Sequence, residues 1–388
     1  ERAGTYLKAP NGADTNLTAE QWALARTKAF KAWFGDWEKA ARIQKLRNSE
    51  PVMMDGNEHE GKYELNRESA QKYVLDELRD TYTIADTNER IKIVKRGAKK
   101  VTSHSMGNDA HMRSIAIIPE IIKSAIFITE MSADKADAQY DSYRYYVCGL
   151  EYAGESYTVK MTVGVKNGDY YYDHTLTDIE KGKLLDMIES QQGVSREGFT
   201  PTGNESDPSY ALSDIKDKKL VSILQTNASK VVDANGEPMV VYHGTLAKNL
   251  TRFDKDFIGS RYSYDEKGFF FISRESIAND YATPDFGTGR GAIIPAFINL
   301  KNPLFVDQKW AAKNGLGNRV FKDNDVIEFW DNYQTLMIEE SQNNDGVIIS
   351  DGTDLMVVAF EPSQIKSATD NIGEFSADNN DIRFRTKY

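Results

Sequence analysis

Between Tyr157 and Val165 the chain alternates: Tyr157, Val159, Met161, Val163 and Val165 are apolar, and Thr158, Lys160 and Thr162 between them are polar. A period of two sends successive side chains to opposite faces, so the spacing predicts a half-buried strand over 156–165. Asn167-Gly168 follows, a pair that tolerates the positive φ angles of a tight hairpin. The chain then turns back into a strand expected over 169–176, and another is expected over 143–150. An antiparallel sheet is the frame. Helices are expected over 66–80, with Tyr73, Val74 and Leu78 on one face, and over 119–127, with Pro119 in its first turn. Thr177-Asp178-Ile179-Glu180 has the form of a capping box and predicts a helix to about Gln191. This mixture reads as a small α+β domain.

Gln192 to Ile215 is rich in Gly, Ser, Pro, Asn and Asp and reads as a flexible linker. At roughly 150 residues per domain, 388 residues call for two or three domains. The expected division is a helical, aromatic-rich segment over 1–50, an α+β domain over 51–191, the linker over 192–215 and a second α+β domain over 216–388. In the first segment Thr18-Ala19-Glu20-Gln21 is a capping box. The run Phe30 to Trp37 that follows suits a packed mini-core, a docking surface or a ligand-stacking role. In the last segment strands are expected over 239–243, 268–273, 292–300, 347–350 and 355–360, with Ser273 as a helix N-cap. Asp381 to Tyr388 is polar and expected to fray.

Some classes are excluded. No run of 18 apolar residues exists to make a membrane-spanning helix, and the first residues carry no signal-peptide apolar region. Cys148 is the single cysteine, so an intrachain disulfide is impossible and no metal ligand set is expected. A net charge of −11 rules out a uniformly basic nucleic-acid coat. These features fit work in a reducing cytoplasm.

In the last segment Val241-Tyr242-His243-Gly244-Thr245, Gly268-Phe269-Phe270-Phe271, Ala278-Asn279-Asp280-Tyr281 and Phe360-Glu361-Pro362-Ser363-Gln364-Ile365-Lys366-Ser367-Ala368 occur in order. Over about 230–385 this pattern resembles the ADP-ribosyltransferase domain of phage and mobile-element polyvalent proteins. These are relatives of diphtheria toxin and the poly(ADP-ribose) polymerases, so the resemblance implies a split β-sheet domain that uses NAD+. Cleaving the glycosidic bond of NAD+ builds positive charge on the ribose, which calls for a held carboxamide, a sandwiched ring and a nearby carboxylate. The resemblance gives His243 the adenosine-side ribose, Gly244 backbone amide groups for the nicotinamide, Thr245 a cofactor contact, and Phe270 and Tyr281 the stacking faces. Ala278 stands where the polymerases often place a serine. The family's glutamate register falls on Met356, and the nearest acid on that face is Asp354. Either Asp354 serves with a shifted strand, or the acid has been lost.

In the middle segment Lys99-Lys100-Val101-Thr102-Ser103-His104-Ser105, Ala116 to Ile122, Tyr157-Thr158-Val159-Lys160 and Tyr171-Tyr172-Asp173-His174 occur in order. The set is similar, over about 55–190, to the phage nuclease-like family grouped with the barnase, EndoU, colicin and RelE RNases. That resemblance implies metal-independent transesterification of RNA, with His104, Lys160 and His174 as catalytic candidates and Arg96, Lys99 and Lys100 as phosphate contacts. His174 serves equally as an ordinary hydrogen-bonded residue, and the basic run as a solvated loop. His59 and His111 are expected at the surface.

The expected whole is a two-domain α+β protein of phage polyvalent or toxin type, an RNase-like domain followed by an ADP-ribosyltransferase domain. It would move ADP-ribose from NAD+ to a host protein or nucleic acid and cleave RNA, in the bacterial cytoplasm and with no membrane partner. The alternative is a degenerate scaffold that binds NAD+ and RNA without turnover.

Overall fold

The computed structural model describes residues 6–95, 109–133, 139–172, 178–181, 222–259, 267–283, 291–317, 320–323 and 325–383. Chain contacts divide these into two units: residues 42–181 with 222–225, and residues 6–41 with 226–383.

The first unit is built on eight strands: β1 (Val52–Met54), β2 (Thr81–Thr83), β3 (Arg90–Lys92), β4 (Ile126–Ser132), β5 (Ser142–Tyr152), β6 (Glu155–Lys166), β7 (Asp169–Tyr172) and β8 (Asp178–Lys181). The path runs β1-β5-β6-β7-β3-β2, with β4 also on β5 and β8 also on β6. The expected hairpin is present: Asn167 and Gly168 have φ of 52° and 82°, and Lys166 pairs with Asp169. The helix expected from Asn66 forms as Arg67–Asp76, its N-cap Asn66 accepting from the Ser69 amide at 2.9 Å.

Strand β6 is buried on both faces rather than one. Val159, Met161 and Val163 pack with Tyr146, Cys148 and Leu150 against Ile117, Ile121 and Ile122. On the other face, Tyr145 and Val147 of β5 lie under Ile43, Leu46, Ile223 and Leu224. Thr158, Lys160 and Thr162 share that covered face and are at most 5 % exposed. The alternation is genuine, but the layer that covers its polar side comes from distant sequence. A second correction concerns Asp178–Lys181, which forms a strand on β6 instead of opening a helix. β7 ends at Tyr172, opposite Val163, so the edge of β6 from Tyr157 to Lys160 still offers unpaired backbone groups that β8 takes.

The second unit carries β9 (Val241–Thr245), β10 (Phe269–Ile272), β11 (Ala292–Ile298), β12 (Leu304–Val306), β13 (Gly346–Ser350), β14 (Leu355–Ala359) and β15 (Ile365–Ser367), in the order β12-β13-β14-β10-β9-β11-β15. β9 pairs with β11 from Val241 to Thr245, and β10 with β14 along its length. Between β9 and β10 the ladder is the single pair Ile272–Tyr242. The sheet is therefore two half-sheets that part after one bridge.

Residues 6–41 belong to this unit. The Thr18 capping box forms as expected, and the aromatic run is buried. Phe30 lies 5.0 Å from both Phe297 and Phe375, and Trp33 stacks on Phe375 at 5.4 Å. Of its three readings the packed mini-core is the one realised. Ser273 does not cap a helix: Arg274 holds that place without a side-chain bond, and the Ser273 hydroxyl accepts from the Leu355 amide at 3.0 Å. Of the stretch expected to fray, residues 384–388 lie outside the described ones, but Ile382 is held in place. It is 2 % exposed, and its amide donates to the Thr251 carbonyl.

Candidate functional site

Where β9 and β10 part, a cavity of about 730 Å³ opens, and its walls are mostly apolar side chains. The break leaves strand backbone groups in need of partners, and His243 supplies one. Its Nδ1–H donates to the Phe270 carbonyl at 2.8 Å, from one half-sheet to the other. A carbonyl only accepts, so Nδ1 holds the proton and Nε2 remains an acceptor. Burial pushes the imidazole pKa below its ordinary value, with the Phe270 hydrogen bond acting in the opposite sense. Phe253 and Phe271 flank the ring at 5.0 and 5.4 Å. The result is a neutral imidazole suited to receiving a hydroxyl proton.

Gly244, next in β9, allows the helix Glu275–Tyr281 to press onto the strand. A Cβ there would meet the Ala278 carbonyl oxygen at 1.8 Å and the Tyr281 Cβ at 2.9 Å. No side chain fits. The same closeness sets Tyr281 beside the cavity. Thr245 turns the chain out of β9, its hydroxyl accepting from the Ala247 amide at 3.2 Å. Phe270 is held edge-on by Trp330 at 5.1 Å. His243, Gly244, Thr245, Phe270 and Tyr281 thus all line one cavity.

Asp354 does not line it. This residue is 4 % exposed, its Oδ2 pairs with the Arg274 guanidinium, and its own amide donates to Asp351 at 2.7 Å. Met356, two residues further along β14, does line the cavity. The wall also includes Ile327, Trp330 and Asp331 from the helix Val326–Glu340, which no sequence motif marked. Their signal is the helical i, i+3, i+4 spacing, legible only once the helix has a partner.

In the first unit Lys160 sits on the covered face of β6 and keeps polar interactions there. It pairs in register with Asp178 of β8, beyond the end of β7. His104, His174, Arg96, Lys99 and Lys100 lie outside the described residues. His111 is a correction: it is 5 % exposed, on a helix that packs against the sheet, and not at the surface. Among the described residues no group of His, Cys, Asp and Glu is placed to hold a metal ion. No helix among them is long and apolar enough to cross a membrane.

Residues 61–172 match a family described as Large polyvalent protein-associated domain 3. That description names no nuclease, and the likeness to RNases finds no counterpart in it. No curated protein and no solved structure matches the chain. Residues 233–375, which include the half-sheets and the cavity between them, match the family described as ADP-Ribosyltransferase in polyvalent proteins. The match to an ADP-ribosyltransferase family implies NAD+ as the co-substrate of this part of the chain.

Proposed function

We propose that the C-terminal domain cleaves NAD+ in the cavity between β9 and β10 and passes ADP-ribose to a host macromolecule. The observation that carries this reading is the bond from His243 to the Phe270 carbonyl across the parted strands. It fixes a neutral imidazole with its acceptor nitrogen free of that bond, in the wall of a cavity large enough for a dinucleotide. In this role Nε2 accepts a hydroxyl proton of the adenosine ribose. The Gly244 backbone approaches the nicotinamide carboxamide, and Phe270 and Tyr281 hold the two faces of the ring. NAD+ supplies a glycosidic bond already activated by the charged pyridinium, so the protein's share is orientation, exclusion of water and a carboxylate. The RNA-cleaving role expected of the first unit rests mainly on residues outside the described ones, and the proposal is confined to the transferase.

The test pairs calorimetry with label transfer. The whole chain is incubated with labelled NAD+ and bacterial lysate, beside His243→Ala. Transfer of label by the unmodified chain, with NAD+ binding weakened about tenfold or more in the variant, supports the proposal. Binding of NAD+ with no label transferred makes the domain a binding module instead.

A further inference from the structure

The chemistry at the ribose calls for a carboxylate, and the strand position expected to supply it holds Met356. A thioether carries no charge and takes no proton. Asp354 precedes the strand, its Oδ2 is bound to Arg274, and it does not line the cavity. A carboxylate already neutralised by a guanidinium has little left to offer a cationic centre.

Among the described residues two carboxylates line the cavity, Asp254 and Asp331. Asp254 is committed at the His243 end. It accepts from the Asp256 amide at 3.1 Å, has Arg252 3.8 Å away, and follows Phe253, the ring against His243. Asp331 lies on the helix that forms one wall. Ile327, Trp330 and Asp331 form one stripe of their helix, and Trp330 is the ring packed edge-on against Phe270. Met356 lines the same cavity. Among the described residues no hydrogen bond or ion pair engages the Asp331 carboxylate. Asp331 is exposed to solvent at the edge of an apolar wall, so its carboxylate is open to a cationic partner.

We infer that Asp331 is the carboxylate that faces the nicotinamide ribose of NAD+, supplied from a helix in place of the strand position filled by Met356. This rests on the transferase reading above. In the transfer, the electron pair of the bond between ribose C1′ and the nicotinamide nitrogen leaves with nicotinamide, which becomes neutral. The acceptor's oxygen or nitrogen forms the new bond to C1′, and its proton passes to the Asp331 carboxylate and then to water. Partial desolvation beside the apolar wall, followed by the charges of Asp325 and Glu328, pushes this carboxyl group's pKa above the usual carboxylate value, which makes it a better proton acceptor.

The experiment compares the whole chain with Asp331→Asn, which replaces an exposed helix residue and leaves the buried face of that helix intact. Two quantities are read: NAD+ and NADH binding by calorimetry, and nicotinamide release from NAD+. NADH has lost the positive charge of the pyridinium, so a carboxylate near the ring favours NAD+ over NADH. The expected result is NAD+ binding about five- to tenfold weaker in the variant with NADH binding unchanged, and nicotinamide release slower by about 100-fold or more. The double variant Asp331→Asn, Met356→Glu is expected to regain part of the release by restoring a carboxylate from the strand. An unaltered ratio of NAD+ to NADH affinity in Asp331→Asn, or release at the unmodified rate, overturns the inference while leaving the transferase reading standing. Failure of the unmodified chain to bind NAD+ overturns both.

Discussion

Strand β6 and the β9–β10 junction solve opposite problems. β6 is paired along most of its length and buried on both faces, down to its threonines and Lys160. At the junction the strand pair stops after Ile272–Tyr242, and a side chain, His243, makes the next link. Continuous pairing leaves no backbone group for a ligand. A parted pair leaves an apolar slot with few polar groups, each fixed by a neighbour, and that is what a binding site needs. The chemistry in this chain therefore sits where regular structure is deliberately incomplete.

The sharpest way to break this contrast is to remove what braces the parted sheet. Glu237 is fully buried and is held by Arg26 at 3.0 Å and by the Thr15 hydroxyl at 2.5 Å. Arg26 in turn lies over the Trp22 and Trp37 rings at 3.9 and 4.9 Å. All of these residues except Glu237 precede the stretch matched by the transferase family. A fragment cut at that family boundary is expected to be insoluble or unfolded, because it leaves Glu237 unpaired and bares Phe297 and Phe375. Within the whole chain, Arg26→Ala and Phe30→Ala are each expected to cost about 3–5 kcal/mol in the unfolding transition of the second unit. Denaturant titration followed by tryptophan fluorescence checks this. A loss under 1 kcal/mol for both would show that residues 6–41 are packed on the domain without supporting it.

A smaller change strikes the site itself. Gly244→Ala places a methyl group 1.8 Å from the Ala278 carbonyl oxygen, so the helix Glu275–Tyr281 must move away from β9. The expected cost is about 1–3 kcal/mol of stability, with NAD+ binding lost by tenfold or more as Tyr281 withdraws. Retained affinity in a folded variant would show that Tyr281 does not hold the ring.

Local signals were legible in the sequence, and long-range ones were not. Asn167-Gly168, the Thr18 capping box and the order of His243, Gly244, Phe270 and Tyr281 each depend on residues close in sequence or on a spacing that the strands preserve. The burial of Lys160 depends on Ile43, Leu46, Ile223 and Leu224, which no pattern near Lys160 reveals. Asp178–Lys181 carries helix-start residues, yet the free edge of β6 decides its conformation. The position of Asp331 at the cavity follows from how its helix packs on β13 and β14, and the ion pair of Asp354 with Arg274 joins residues far apart in the chain.

His243 adds a dependence on pH to the parted junction. Its folded-state pKa lies below the ordinary value of 6.5, so as the pH falls the unfolded chain takes up the proton first. The stability tied to the neutral ring is complete above about pH 6.5 and is lost progressively below it, by up to about 1.4 kcal/mol per pH unit. Unfolding midpoints at pH 7.5 and about pH 5.5 should show the second unit weakening more in the unmodified chain than in His243→Asn. Equal weakening would assign the effect to another group.

The smallest expected effect comes from making the same glycine-to-alanine change in the continuous sheet. Gly168 has φ of +82° and open space where a Cβ would go, with nothing within 4 Å. Alanine there meets no neighbour, and the cost is the strain of the left-handed backbone alone, about 1 kcal/mol. Gly244 is the reverse case, with an ordinary φ and no room at all. One substitution thus separates two reasons for a glycine. In β6–β7 it serves the turn, and stability measured by denaturant should fall slightly. In β9 it serves the approach of a helix to a strand, and NAD+ affinity should fall with stability. If Gly168→Ala proved the more damaging of the two, the hairpin would be the feature that organises its sheet, and the close packing at β9 would be slack that the helix can absorb.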